Sequence, residues 1–151
     1  MDKAETATAY FGQGYACSQS VFLAFAADFD LSPALASQVA SGFGGGIGRT
    51  GRLCGAVSGA IMAIGLKYGT PTAPDPAAKE MVYEQVRRFM NAFEEQHGSL
   101  DCNTLLCADI STAEGRAQAR ATGKFSGLCP LLVRDAVLIA DAMLNETEPG
   151  Y

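Results

Sequence analysis

The sequence contains no tryptophan and a single histidine, so histidine-based catalysis has one candidate, His97. It also lacks an excess of positive charge. Eleven Lys and Arg against sixteen Asp and Glu give a net charge of −5 and a pI near 4.7. Nucleic acid, which calls for a basic stripe, is therefore not an expected partner. Charged residues are scarce at 18%, while hydrophobic residues reach 48%; a disordered chain has the opposite balance. Long apolar runs are missing too. The longest nearly uncharged run, Leu53 to Leu66, is too short to span a bilayer and is rich in Gly and Ala, so it reads as a buried helix. The opening Met-Asp-Lys-Ala-Glu is acidic, with no apolar segment behind a basic patch. It does not read as a secretory signal, and a cytoplasmic protein off the membrane is expected.

What the chain does have is cysteine, five residues of it, at 17, 54, 102, 107 and 129. In a reducing compartment such residues are metal-binding, catalytic or simply buried more often than a structural disulfide framework. The odd count leaves at least one thiol over in any fully paired scheme.

No repeat, linker or low-complexity tract divides the 151 residues, so one domain over 1–151 is expected. Strand-like alternation is scarce and no βαβ pattern occurs. The expectation is an all-α bundle of about six to seven helices around a central Gly/Ala-rich helix at 53–68. Residues 3–11 form the first helix, ending at Gly12 and Gly14, and a second starts near Cys17. Ser32-Pro33 is a strong third start, a capping residue before proline at the first helical position. In Gly42 to Gly51 six of ten residues are glycine, which points to positive φ or close backbone approach. Gly51, Gly55, Gly59 and Ala63 recur every four residues, a small-residue stripe that can pack within the chain or across a dimer. Over 77–96, Met81, Val82, Val86, Phe89, Met90 and Phe93 mark a buried face and Glu84 with Arg88 an i,i+4 pair. Shorter helices follow at 101–107 and 112–121. The last starts around Cys129-Pro130, with Leu132, Val133, Ala136, Val137, Ala140, Met143 and Leu144 inward.

Gly46-Ile-Gly48-Arg-Thr-Gly51 matches the dinucleotide fingerprint literally, but no strand feeds it and no Walker-type lysine ends it. A tight helix-to-helix connection is the preferred reading. In an intermediate one, loop amides with Arg49 and Arg52 receive an anion or a thiolate. Cys54 stands at the first turn of the central helix, two residues after Arg52, where a helix N-terminus and nearby cations would lower its pKa. Burial as a small hydrophobe is the equal alternative. Cys17 and Cys129 also lie near helix starts. Cys102 and Cys107 are five apart, about 140° around a helix, and share no face. His97, at a helix end before Gly98, reads as a solvated C-terminal cation.

Cys17 in Ala-Cys-Ser-Gln-Ser-Val-Phe, the Gly42–Gly51 loop, Cys54-Gly-Ala-Val-Ser-Gly59, Cys102 in Asp-Cys-Asn-Thr and Cys129 in Gly-Leu-Cys-Pro, taken in that order, resemble the C_GCAxxG_C_C family of redox-active proteins. The likeness spans roughly residues 8–140. Here the order is Cys54-Gly55-Ala56 where the family name writes Gly-Cys-Ala, and Cys107 is additional to the pattern. The resemblance implies a thiol-based redox function with Cys17, Cys54, Cys102 and Cys129 as site residues. Some relatives are selenoproteins, and a similar domain in split-Soret cytochromes implies electron transfer and dimer formation.

Three readings follow. In the first, a thiol–disulfide oxidoreductase-like activity, Cys54 is the lead thiolate, activated by the helix terminus and Arg49 or Arg52. Cys17, Cys102 or Cys129 resolves, no cofactor is needed, and a redox protein or small thiol or disulfide is the partner. In the second, the same four cysteines ligate a metal or iron–sulfur centre for electron transfer, although none of them forms a CxxC pair. In the third, the chain is a non-catalytic helical module with cysteines filling its core.

Overall fold

The computed structural model describes residues 1–146 and is all-α. Among these residues eight helices occur: α1 (Lys3–Gly12), α2 (Cys17–Ala26), α3 (Pro33–Ala40), α4 (Gly55–Tyr68), α5 (Pro76–His97), α6 (Cys102–Leu106), α7 (Ala113–Ala121) and α8 (Cys129–Leu144). That is slightly more than the six to seven expected, and the two short helices expected at 101–107 and 112–121 are present as α6 and α7. No described helix is long and apolar enough to cross a membrane.

Local chemistry sets the boundaries. Asp2 caps α1 in a capping box with Glu5, Ser32 accepts from the Leu35 amide ahead of Pro33, and Asp75 accepts from Ala78 at the start of α5. The central helix starts at Gly55 rather than residue 53, because Cys54 is its extended N-cap. The core lies where α2, α4, α5 and α8 meet, around Phe25, Val57, Ile64, Phe89, Phe93, Val133 and Val137. All seven inward residues expected of α8 are buried. On α5 only Phe89 and Phe93 of the expected face are fully buried, and Gln85 joins them. Arg88 pairs with Glu146 and hydrogen-bonds Gln85 rather than forming the expected pair with Glu84.

The small-residue stripe works within the chain. A Cβ on Gly59 would lie 2.6 Å from the Ser18 carbonyl oxygen and 2.9 Å from Val21 Cβ, so α2 and α4 approach nearly backbone to backbone. Gly51 is off this stripe and packs on Asn103.

The glycine-rich segment is a left-handed turn. Gly45, Gly46, Ile47, Gly48 and Arg49 have φ of 62°, 67°, 69°, 60° and 62°. For the two non-glycine residues this costs about 1–2 kcal/mol each. The turn is held by its own backbone: the amides of Gly48, Gly51 and Arg52 donate to the carbonyls of Gly42, Gly45 and Gly46 at 2.9–3.1 Å. It is neither a strand-fed nucleotide loop nor a simple connection, and what it presents is described next.

Candidate functional site

Cys17, Cys54, Cys102 and Cys129, spread over most of the sequence, line one cavity of about 860 Å³. Each stands at a helix start. Cys17, Cys102 and Cys129 are the first residues of α2, α6 and α8, and Cys54 is the N-cap of α4. First-turn amides have no intrahelical partner, so they are free to face a sulfur. Cys17 is the best supplied: the amides of Gly45, Ser18, Gly55 and its own residue favour its thiolate. The amides of Ala56 and Val57 favour the Cys54 thiolate. The loop thus does offer an amide to a thiol, that of Gly45, but the thiol is Cys17 rather than Cys54.

Backbone pairing aligns two of the cysteines. Leu53 and Asp101 form an isolated antiparallel bridge. Around it the Cys54 amide donates to Leu100 at 2.8 Å, Cys102 to Arg52 at 2.6 Å and Asn103 to Gly51 at 3.0 Å. Both cysteines are therefore carried on the same short ladder. Glycine is required beside it, since a Cβ on Gly46 would lie 2.7 Å from Cys102 Cβ and 2.5 Å from the Arg52 nitrogen. Cys17 is brought in from the opposite side by the close packing of α2 on α4; a Cβ on Gly55 would collide with its Sγ.

The expected activation of Cys54 does not hold in this reduced, closed arrangement. Burial pushes its thiol from 9.0 up to about 12, the neighbouring Cys17 adds to the rise, and the amides of Ala56 and Val57 offset only part of it. Cys102 and Cys129 are likewise pushed up to about 12, by burial first and then by Cys17. Cys17 is raised by burial despite its four amides. Helix N-termini favour thiolates, but desolvation of a buried charge outweighs them here. Cys17 is the neighbour that Cys54, Cys102 and Cys129 share, and each feels it more strongly than any other cysteine. All five cysteines are free thiols.

Of the two arginines singled out from sequence, Arg49 lines the cavity. Arg52 contributes its backbone to the ladder, while its side chain is exposed and outside the cavity lining. Two further arginines, Arg116 and Arg120 on α7, line the cavity and were missed. Their spacing of four on one helix was the available signal, since it places both on one face. Cys107 is exposed, in a left-handed conformation at the C-cap of α6, and takes no part. His97 is not solvated. Its side chain is 10% exposed, stacks on Phe93 at 4.7 Å and sets Nε2 3.0 Å from Asp135 Oδ2 without hydrogen-bond alignment. Desolvation of a helix end packed against α8 explains the difference. Among the described residues no three Cys, His, Asp or Glu side chains are grouped as a metal-coordinating set.

Fold and site together define a helical protein that gathers four thiols at helix starts around one cavity. The chain belongs to the family described as "Putative redox-active protein (C_GCAxxG_C_C)", which it matches over residues 15–143. No curated protein and no solved structure matches it.

Proposed function

We propose that the chain is a dithiol redox protein in which Cys17 and Cys54 cycle between two thiols and a disulfide, with a small thiol or disulfide, or a redox partner protein, as the other reactant. The observation that carries this is the placement of Cys17 as the common neighbour of the three other cavity cysteines, directly against the start of the helix capped by Cys54.

The chemistry is two exchanges. A protein thiol attacks one sulfur of an external disulfide; a mixed disulfide forms, the external S–S bond breaks, and the thiol proton ends on the departing small thiol. The second protein thiol then attacks the mixed disulfide, forming the Cys17–Cys54 bond and releasing the second small thiol. Two electrons pass from protein to disulfide. Burial keeps the resting thiols protonated, so uncontrolled oxidation is slow, and the amides facing Cys17 and Cys54 stabilise the thiolate each forms in passing. A reducing, cytoplasmic setting suits such a dithiol.

The test is oxidation of the reduced protein with limiting 2-hydroxyethyl disulfide, followed by peptide mapping. A Cys17–Cys54 disulfide is expected, lost in Cys17→Ser and Cys54→Ser, while Cys107→Ser leaves it intact. Random pairing, or alkylation of Cys107 alone with the other four untouched, refutes the reading and favours a helical module with a cysteine-filled core. A cysteine-ligated metal or iron–sulfur centre is the second reading, ranked lower because no three ligating side chains are grouped among the described residues. That reading requires anaerobically purified protein to carry metal and to resist labelling at all four positions.

A further inference from the structure

The cavity carries a charge pattern at odds with the rest of the molecule. The chain is acidic overall, with a net charge of −5, yet three of its seven arginines, Arg49, Arg116 and Arg120, line this one cavity and, among the described residues, no Asp or Glu does. Of the eight Lys and Arg residues outside the cavity, four form ion pairs: Lys3 with Asp28, Arg87 with Glu80, Arg88 with Glu146 and Arg134 with Asp135. Among the described residues none of the three cavity arginines has a carboxylate partner. The acidic residues that adjoin the cavity-lining Cys102 and Ile110 are engaged otherwise. Asp101 accepts from the Thr104 amide and hydroxyl at 3.0 and 2.9 Å, and Asp109 accepts from Asn103 and Ser111.

The arginines keep donors to spare. Arg116 spends one N–H on the Ile110 carbonyl at 3.0 Å, leaving most of its five donors. The Arg120 guanidinium lies 5.9 Å from the centre of the Phe125 ring. Arg49 is exposed at the cavity wall, its backbone set by the left-handed turn at φ 62°. Between them the wall is apolar, from Phe11, Leu105, Ile110, Phe125 and Leu132. Guanidinium groups with spare donors bind carboxylates in forked pairs, and a ligand pocket that combines apolar walls with a few fixed polar groups selects an apolar body with a charged end.

We infer that the cavity takes a small organic disulfide bearing carboxylates, and the thiol it yields, with the arginines binding the carboxylates and the apolar wall the hydrocarbon body. This rests on the dithiol reading and names its substrate class. The exchange is the one written above, so one carboxylate-bearing disulfide becomes two thiols for each protein disulfide formed.

The test compares three disulfides of similar size: 3,3′-dithiodipropionate, an anion, 2-hydroxyethyl disulfide, neutral, and cystamine, a cation. Each rate of protein oxidation is divided by that reagent's rate with the urea-unfolded chain, which removes intrinsic reactivity. At low ionic strength the anion is expected to lead the neutral reagent by at least about tenfold, with the cation slowest. The lead should shrink in high salt. Arg49→Gln with Arg120→Gln should bring the ratio close to one, with circular dichroism confirming the fold, and Arg87→Gln, outside the cavity, should preserve it. Equal ratios for the three reagents, or a lead unaffected by Arg49→Gln with Arg120→Gln, overturns the inference. If no reagent oxidises the native protein, the dithiol reading has failed on its own. Redox-inert 3-phenylpropionate and 3-phenylpropanol then decide by chemical-shift titration. Tighter binding of the acid, weakened by the double substitution, upholds the anion site, and equal binding removes it.

Discussion

Replacing Gly59 and Gly65 of α4 by alanine, one at a time, should give stability changes of opposite sign, although both glycines lie within the same helix. Alanine in a helix interior is favoured over glycine by about 1 kcal/mol through backbone entropy. At Gly65 a Cβ would meet nothing within 4 Å, so Gly65→Ala should stabilise by about 1 kcal/mol, or about 2–4 °C in Tm for a chain of this size. At Gly59 the new methyl would sit 2.6 Å from the Ser18 carbonyl oxygen and 2.9 Å from Val21 Cβ. Neither atom can turn aside as a side-chain tip would, so α2 must move away from α4. Overpacking of that kind costs about 1–3 kcal/mol. A rigid backbone contact belongs at the upper end, so Gly59→Ala should destabilise by about 2 kcal/mol after the propensity gain. Urea unfolding followed by circular dichroism reads both values, which should differ by about 3 kcal/mol. A functional consequence follows from the same displacement. Cys17 opens α2 and Cys54 caps α4, so widening the helix pair should slow Cys17–Cys54 disulfide formation in Gly59→Ala and leave it unchanged in Gly65→Ala. If Gly59→Ala proves as stable as Gly65→Ala, the close α2–α4 packing on which the site geometry rests is wrong.

Two more outcomes follow. Because the Cys54 thiol is raised from 9.0 to about 12 in the folded chain, the folded state holds a proton that the unfolded state has lost between those values. The contribution is complete below pH 9 and is lost as pH rises. From pH 8 to pH 10 this single thiol should cost about 1.4 kcal/mol of stability, so Cys54→Ala should flatten the alkaline decline in urea midpoints, and identical slopes would refute the burial of this thiol. In the glycine turn, Gly46→Ala combines a left-handed backbone, φ 67°, with contacts on Cys102 and the Arg52 backbone, and should cost about 2–4 kcal/mol. Gly48→Ala has the same handedness but open space and should cost only about 1–2 kcal/mol; thermal unfolding of the two variants separates strain from collision.

Much of the helical order was legible because it is written in local chemistry. Ser32-Pro33, the apolar spacing of α8 and the glycines after α1 act over a few residues, and the helices form where they indicate. The convergence of the cysteines was not legible from spacing, since Cys17 and Cys129 meet only through the packing of α2, α4 and α8 around a shared core. Family likeness supplied that grouping where periodicity did not. The ranking of the thiols went astray for a definite reason. Sequence placed Cys54 at a helix N-terminus near two arginines, which argues for a low pKa, but it carries no measure of desolvation, and desolvation is the largest influence on that sulfur. Arg52, adjacent in sequence, turned its side chain outward and lent its backbone, while Arg116 and Arg120, more than sixty residues from Cys54, came to the cavity. Sequence proximity is a poor guide to electrostatic proximity when short helices separate the residues in question. The four cysteines are consistent in their backbone context, each at a helix start, and it is this shared context, more than the pKa of any one of them, that makes a joint chemical role the economical explanation of their arrangement.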